Sequence, residues 1–135
     1  MRILAVDYGE RRTGLAVSDA LGITAQGLET VVVEDEEKLP ECVARTVVET
    51  GAERIVVGLP LNMDGSESEK SRKVRAFADR LAGLTGLPMI MWDERMTSLQ
   101  ARRVMNEMNR KTRNNKGMID RISATLILQE YLKTL

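Results

Sequence analysis

Residues 54–59, Arg-Ile-Val-Val-Gly-Leu, form a largely apolar run of strand length, and a strand of that kind needs cover on both of its faces. The flanking sequence offers that cover. From Asp35 onward, Leu39, Val43 and Val47 recur at helical spacing, with Pro40 in the first turn and Gly51 as the stop. After the loop Pro60-Leu61-Asn62-Met63-Asp64-Gly65, the spacing Ser66-x-x-Glu69 has the form of a capping box. The helix behind it presents Val74, Phe77, Ala78 and Leu81 and stops near Gly83 or Gly86. A second apolar strand follows at 88–92, then a helix capped by Thr97 or Ser98 whose methionines are expected to pack into the core, and a last helix from about Met118 to Leu132. Ahead of all this, residues 2–6, 14–18 and 29–33 read as an antiparallel meander, its first turn at Tyr8–Thr13. The order β-β-β-α-β-α-β-α-α predicts one α/β domain over residues 1–135, a five-stranded mixed sheet flanked by helices.

Composition narrows the chemistry. The 135 residues contain no histidine and one cysteine, so the commonest general base is missing and a zinc site is close to excluded. Cys42 sits among Leu39, Val43 and Val47 and reads as a packed thiol in a reducing compartment. No apolar stretch approaches the roughly 18–20 residues of a membrane span. The N-terminus meets Asp7 after four apolar residues, which is no signal peptide, so a cytosolic location without membrane attachment is expected. Hydrolytic chemistry is left to carboxylates, lysine, hydroxyls or an oxygen-bound metal. Net charge is zero, yet Arg110, Lys111, Arg113 and Lys116 put four cations within seven residues.

Three acids stand where such chemistry needs them. Asp7 ends an apolar strand, Glu94 lies just past another, and Asp120 shares a helical stripe with Ala124, Ile127 and Tyr131. Asp93 should point away from Glu94 by strand alternation. If the strand ends and the helix start converge, the three carboxylates repel one another, and a divalent cation removes the penalty. Mg²⁺ or Mn²⁺ suits an all-oxygen site, and ion-assisted phosphodiester hydrolysis needs no histidine. Each acid also has a plainer reading: Asp7 as an Asx-turn former with Gly9, Glu94 as the partner of Arg95 or Arg11, and Asp120 as a helix N-terminal acid.

Taken together the motifs are more specific. Ala5-Val6-Asp7-Tyr8-Gly9 with Arg12-Thr13-Gly14-Leu15-Ala16-Val17-Ser18-Asp19, then Val57-Gly58-Leu59-Pro60-Leu61-Asn62-Met63-Asp64-Gly65, Asp93-Glu94-Arg95-Met96-Thr97-Ser98, and Ile119-Asp120 with Ser123-Ala124 span the chain in order. The whole resembles the YqgF/RuvX family, bacterial RNase H-like proteins related to Holliday junction resolvases. That resemblance implies an RNase H-like fold with catalytic, metal-holding acids at Asp7, Glu94 and Asp120. It also implies a metal-dependent nuclease acting at the 5′ end of precursor 16S rRNA in ribosome biogenesis. The alternatives are a resolvase of branched DNA or a non-catalytic RNA- or ribosome-binding module. Where relatives often carry two alanines after the last acid, this chain has Ser123-Ala124. Phosphate contacts are expected from Arg11, Arg12 and Arg95, from Asn62 in the loop before the second helix, and from a basic loop at 110–116 that carries Arg110, Lys111, Arg113 and Lys116. Asn62 reads equally well as part of a turn.

Overall fold

A computed structural model describes residues 1–135. Its strands are β1 (Ile3–Asp7), β2 (Arg12–Ser18), β3 (Ala25–Gly27), β4 (Val31–Val32), β5 (Arg54–Leu59) and β6 (Met89–Asp93). Its helices are α1 (Leu39–Thr50), α2 (Glu69–Thr85), α3 (Leu99–Lys111) and α4 (Lys116–Leu132), with short 3-10 turns at Glu36–Lys38 and Glu94–Met96. The sheet runs β3-β2-β1-β5-β6, with β4 joined to the other end of β2. Strand β2 is antiparallel to β1 and β3, whereas β1, β5 and β6 are mutually parallel, as the two crossover helices require.

The two-sided burial expected of residues 54–59 is present: Ile55, Val56 and Val57 are fully buried. Leu4, Val6, Ile55 and Val57 face α1 and α2 with Leu39, Val43, Val74, Phe77 and Leu81. Ile3, Ala5 and Val56 face α4 with Ala124, Ile127, Leu128 and Tyr131. Alternation along β1 then carries Asp7 to the α4 face, two residues beyond Ala5, and alternation past β6 carries Glu94 there, two residues beyond Trp92.

Several local expectations are corrected. The third meander strand is not one strand at 29–33 but two, giving six strands in place of five. Between them the segment is tied to α4: Arg121 donates through Nε to the Leu28 carbonyl at 2.8 Å, and Thr30 donates through Oγ1 to the Gly117 carbonyl at 2.6 Å. The capping box belongs to Ser68 and Ser71, because Ser66 is held in the preceding loop by the Asp64 carboxylate. Gly86, at φ 67°, closes that helix. Residues 110–116 are no open loop. Arg110 and Lys111 lie in the last turn of α3, a four-residue turn closes with the Asn115 N–H donating to the Thr112 carbonyl at 2.7 Å, and Lys116 begins α4. Nor does α3 enter the core. It packs on α4 rather than on the sheet, buries only Ala101, and leaves Leu99, Val104 and Met108 exposed. Cys42 is half-buried at the edge of α1. None of the helices is long and apolar enough to cross a membrane.

Helix α4 lies unusually close to β2. A Cβ built on Gly14 would stand 2.0 Å from the Asp120 carbonyl oxygen, a backbone atom with no freedom to yield. Gly14→Ala should therefore lower the unfolding free energy by about 1–3 kcal/mol through overpacking. Gly83→Ala, within α2 where an added methyl meets nothing, should raise it by about 0.5–1 kcal/mol. Urea denaturation midpoints of the two variants check both signs.

Candidate active site

The acids come from three separated elements. Asp7 ends β1, where its register partner across the hairpin is Gly14. Glu94 opens the 3-10 turn directly after β6. Asp120 lies in the second turn of α4, whose first residue is Lys116. Gly58 on β5 supplies the room between them. A Cβ there would lie 2.7 Å from Glu94 Oε1 and 2.7 Å from Ile127 Cδ1, so the glutamate carboxylate occupies space over the sheet that any larger residue would fill. Asp7 and Glu94 line a cavity of about 160 Å³ together with Thr97, Arg102, Met105 and Ser123.

Electrostatics follow from that placement. Burial pushes the Asp7 carboxyl up from 3.8 to about 7, helped by repulsion from Glu94 and then Asp120 and opposed by the Lys70 ammonium. Burial also raises Glu94, with Lys70 opposing and Asp93 assisting. Neither Asp7 nor Glu94 takes part in any of the protein's ion pairs. Asp120 does: its Oδ2 accepts from Arg12 Nε at 3.2 Å. With Asp120 so engaged, no three acidic side chains stand close enough to hold one cation between them. The Asp7–Glu94 pair still fits a hard divalent ion, because Mg²⁺ takes only one or two carboxylates and keeps water or phosphate oxygens for the rest. Two half-buried carboxylates without a counter-ion are the group such an ion relieves.

The plainer readings of these acids are not what the structure holds. Thr13 Oγ1, not Asp7, bonds the Gly9 N–H, at 3.3 Å. Arg95 is paired with Asp93 at 2.7 Å rather than with Glu94, and Asp93 also caps the turn through the Arg95 N–H, which keeps it out of the cavity. The expected phosphate ligands divide into free and engaged. Arg11, Arg110, Lys111, Arg113 and Lys116 are exposed cations. Lys111 is only loosely paired with Glu107 at 3.9 Å. Arg95 also donates to the Met63 carbonyl at 3.2 Å, and Asn62 donates through Nδ2 to Ser66 Oγ at 3.0 Å and to the Glu67 carbonyl at 3.3 Å, so both residues shape the loop.

Sequence reasoning missed Lys70, Gly14 and Gly58. Lys70, in the first turn of α2, is the cation that acts on both Asp7 and Glu94. Nothing in its local sequence marks it. Gly58 did carry a signal, since glycine inside a buried strand marks the close approach of another group.

The raised Asp7 carboxyl has a consequence for stability. The unfolded chain releases that proton near pH 3.8 and the folded chain near pH 7, so between these values the folded state binds more protons and this contribution falls as pH rises. Asp7→Asn should match wild type near pH 4 and be the more stable protein at pH 8. Urea melts at the two pH values, without divalent cation, measure the difference.

Comparison with known proteins identifies the family. A profile of the RuvX family, described as Holliday junction resolvase, matches residues 1–134. A protein of Koribacter versatilis is 47% identical over 133 residues, covering 98% of this chain and 86% of its own length. A protein of Halothermothrix orenii is 42% identical over 132 residues, covering 98% and 94%. Both carry the provisional name pre-16S rRNA nuclease. Among solved structures, Thermus thermophilus RuvC in complex with a Holliday junction superposes with a TM-score of 0.63 at 17% identity, over 99% of this chain and 96% of that one. The fowlpox virus Holliday junction resolvase gives 0.61 at 14% identity over 100% of both. At such identities the two structures speak to the fold, which is RNase H-like. The profile match and the sequence identities together place this chain in the RuvX family.

Proposed function

We propose that this chain is a metal-dependent nuclease that hydrolyses phosphodiester bonds, with Asp7, Glu94 and Asp120 as its acidic centre. The observation that carries the reading is the pairing of two half-buried carboxylates, Asp7 and Glu94, without a counter-ion at the strand ends. Mg²⁺ or Mn²⁺ would be held by Asp7 and Glu94, joined by Asp120 when it is free of Arg12. The chemistry a divalent ion supplies in such a site is activation of water and stabilisation of charge on the leaving oxygen. The chain's own groups do the rest. Lys70 and Arg12 bring positive charge to the phosphate, and the apolar flank at Met105 limits water around the reacting atoms. The basic turn between α3 and α4 stands about 6 Å along the helix axis from Asp120, at a rise of about 1.5 Å per residue, where it grips the backbone on the approach to the centre.

The substrate proposed is the 5′ end of precursor 16S rRNA, in the cytoplasm, on maturing ribosomal particles. Relatives above 40% identity bear the provisional name pre-16S rRNA nuclease, whereas the junction-bound neighbour shares only 17%. A second reading, cleavage of four-way DNA junctions, draws on the description of the family profile. Symmetric cutting of a junction needs two copies of the chain.

With Mg²⁺ or Mn²⁺ the protein should cut a 5′-extended 16S precursor faster than a four-way junction; the reverse preference would favour the second reading. Asp7→Asn, Glu94→Gln and Asp120→Asn should each slow turnover by more than the about 10- to 100-fold that loss of even an outer partner costs a metal site. An Asp7→Asn protein with wild-type turnover would defeat the proposal. Neutralising Arg113 or Lys116 should weaken RNA binding across sequences. It should also flatten the log–log salt dependence of binding by about 0.7 per lost single-strand phosphate contact.

A further inference from the structure

The ion pair between Arg12 and Asp120 joins an expected phosphate ligand to the third acid of the proposed centre. We propose that Arg12 is a positioning residue that holds Asp120 away from the Asp7–Glu94 pair until a substrate phosphate takes its guanidinium, so that nucleic acid binding completes the cation site. The inference rests on the nuclease reading and adds an order to it: phosphate first, third carboxylate second.

Three observations carry it. Asp120 is within Coulombic reach of Asp7, yet it does not line the cavity that Asp7 and Glu94 share, and its carboxylate is turned to Arg12 Nε at 3.2 Å. The helix that bears it cannot move closer to β2, because the Asp120 backbone is already pressed on Gly14, where a Cβ would stand 2.0 Å from the carbonyl oxygen. What remains free is rotation of the Asp120 side chain, between the arginine on one side and the acidic pair on the other. Finally, the Arg12–Asp120 contact is made through Nε and is half-open to water, the two side chains being 39% and 24% exposed. The guanidinium therefore still presents its outer nitrogens to a phosphodiester, whose two non-bridging oxygens its planar fork can meet bidentately. An ion pair this exposed is weak, so a phosphate competes with the carboxylate on even terms.

Thermodynamic linkage then makes the two affinities rise together: RNA tightens cation binding by the factor by which the cation tightens RNA binding. Removing Arg12 breaks the linkage in a manner a general loss of structure would not. Cation binding should improve while RNA binding worsens.

The test is a Mn²⁺ titration of the full chain, by calorimetry or electron paramagnetic resonance, with and without a phosphorothioate RNA hairpin that resists cleavage. Arg12→Gln should bind Mn²⁺ about two- to fivefold more tightly than wild type in the absence of RNA, the scale of an exposed pair. It should bind the hairpin more weakly, and the hairpin should raise Mn²⁺ affinity in wild type but not in the variant. In an Asp120→Asn background the gain from Arg12→Gln should vanish, which separates release of Asp120 from a mere change in local field. Should Arg12→Gln fold poorly, Arg12→Lys keeps the charge and loses the fork, and it should lose most of the hairpin-induced gain. Unchanged or weaker Mn²⁺ binding by Arg12→Gln, or a gain that persists in the Asp120→Asn background, overturns the proposal and leaves the nuclease reading standing. Wild-type Mn²⁺ affinity in Asp7→Asn and Glu94→Gln overturns both.

Discussion

The close seating of α4 on the sheet is the contact on which the site depends. Its first turns lie against β2 at Gly14, and its middle turns share with Glu94 the space left open over Gly58. A side chain at either glycine would separate the layers, and the acids would then sit on surfaces that no longer meet. The same seating engages the segment between β3 and β4, where Arg121 takes the Leu28 carbonyl and the Thr30 hydroxyl reaches the Gly117 carbonyl, while the Leu28 N–H stays bonded to Leu15 of β2. One packing decision thus bears on both the position of Asp120 and the segment between β3 and β4.

Electrostatics place the cost of this arrangement at the functional end. Asp7 and Glu94 are each raised by burial, and no arginine or lysine pairs with them. Such a pair lowers the stability of the cation-free protein at neutral pH and is the kind of local conflict expected at a working site. Elsewhere the charges are conventional: Asp93 with Arg95, Glu67 with Arg75 and Glu10 with Lys73 satisfy one another at the surface. The contrast between paired surface acids and unpaired inner ones sets Asp7 and Glu94 apart. It also gives the Arg12–Asp120 pair its intermediate character, since it is neither wholly buried nor idle.

Much of this was legible from residue pattern. The apolar runs put Asp7 and Glu94 at strand ends, and the helical stripe of Ala124, Ile127 and Tyr131 put Asp120 on the helix face that meets the sheet. Alternation set Asp93 apart from Glu94. Turn chemistry was less legible. Ser66 and Ser68 are both competent caps, and only the competing Asp64 carboxylate decides between them. The basic run at 110–116 reads as a loop because it is polar throughout, but main-chain bonds to Met108 and Thr112 make most of it helix end and tight turn. The apolar spacing of α3 suggests a core helix, yet the helix lies beyond the sheet, where only α4 is available to cover it.

By itself the sequence determined the layers and the chemistry that can occur between them. Its apolar run at 54–59 requires cover on both faces, its helical stripes supply that cover, and the lack of histidine leaves hydrolytic chemistry to carboxylates, lysine, hydroxyls or an oxygen-bound metal. Tertiary structure alone decided which charges meet. Whether Asp120 faces Arg12 or Asp7, and whether Lys70 is a surface charge or the counterweight to two acids, depends on distances between elements far apart in the chain. The physical reason is that backbone periodicity is a local property, whereas a Coulomb interaction reads only separation in space and the water between the charges.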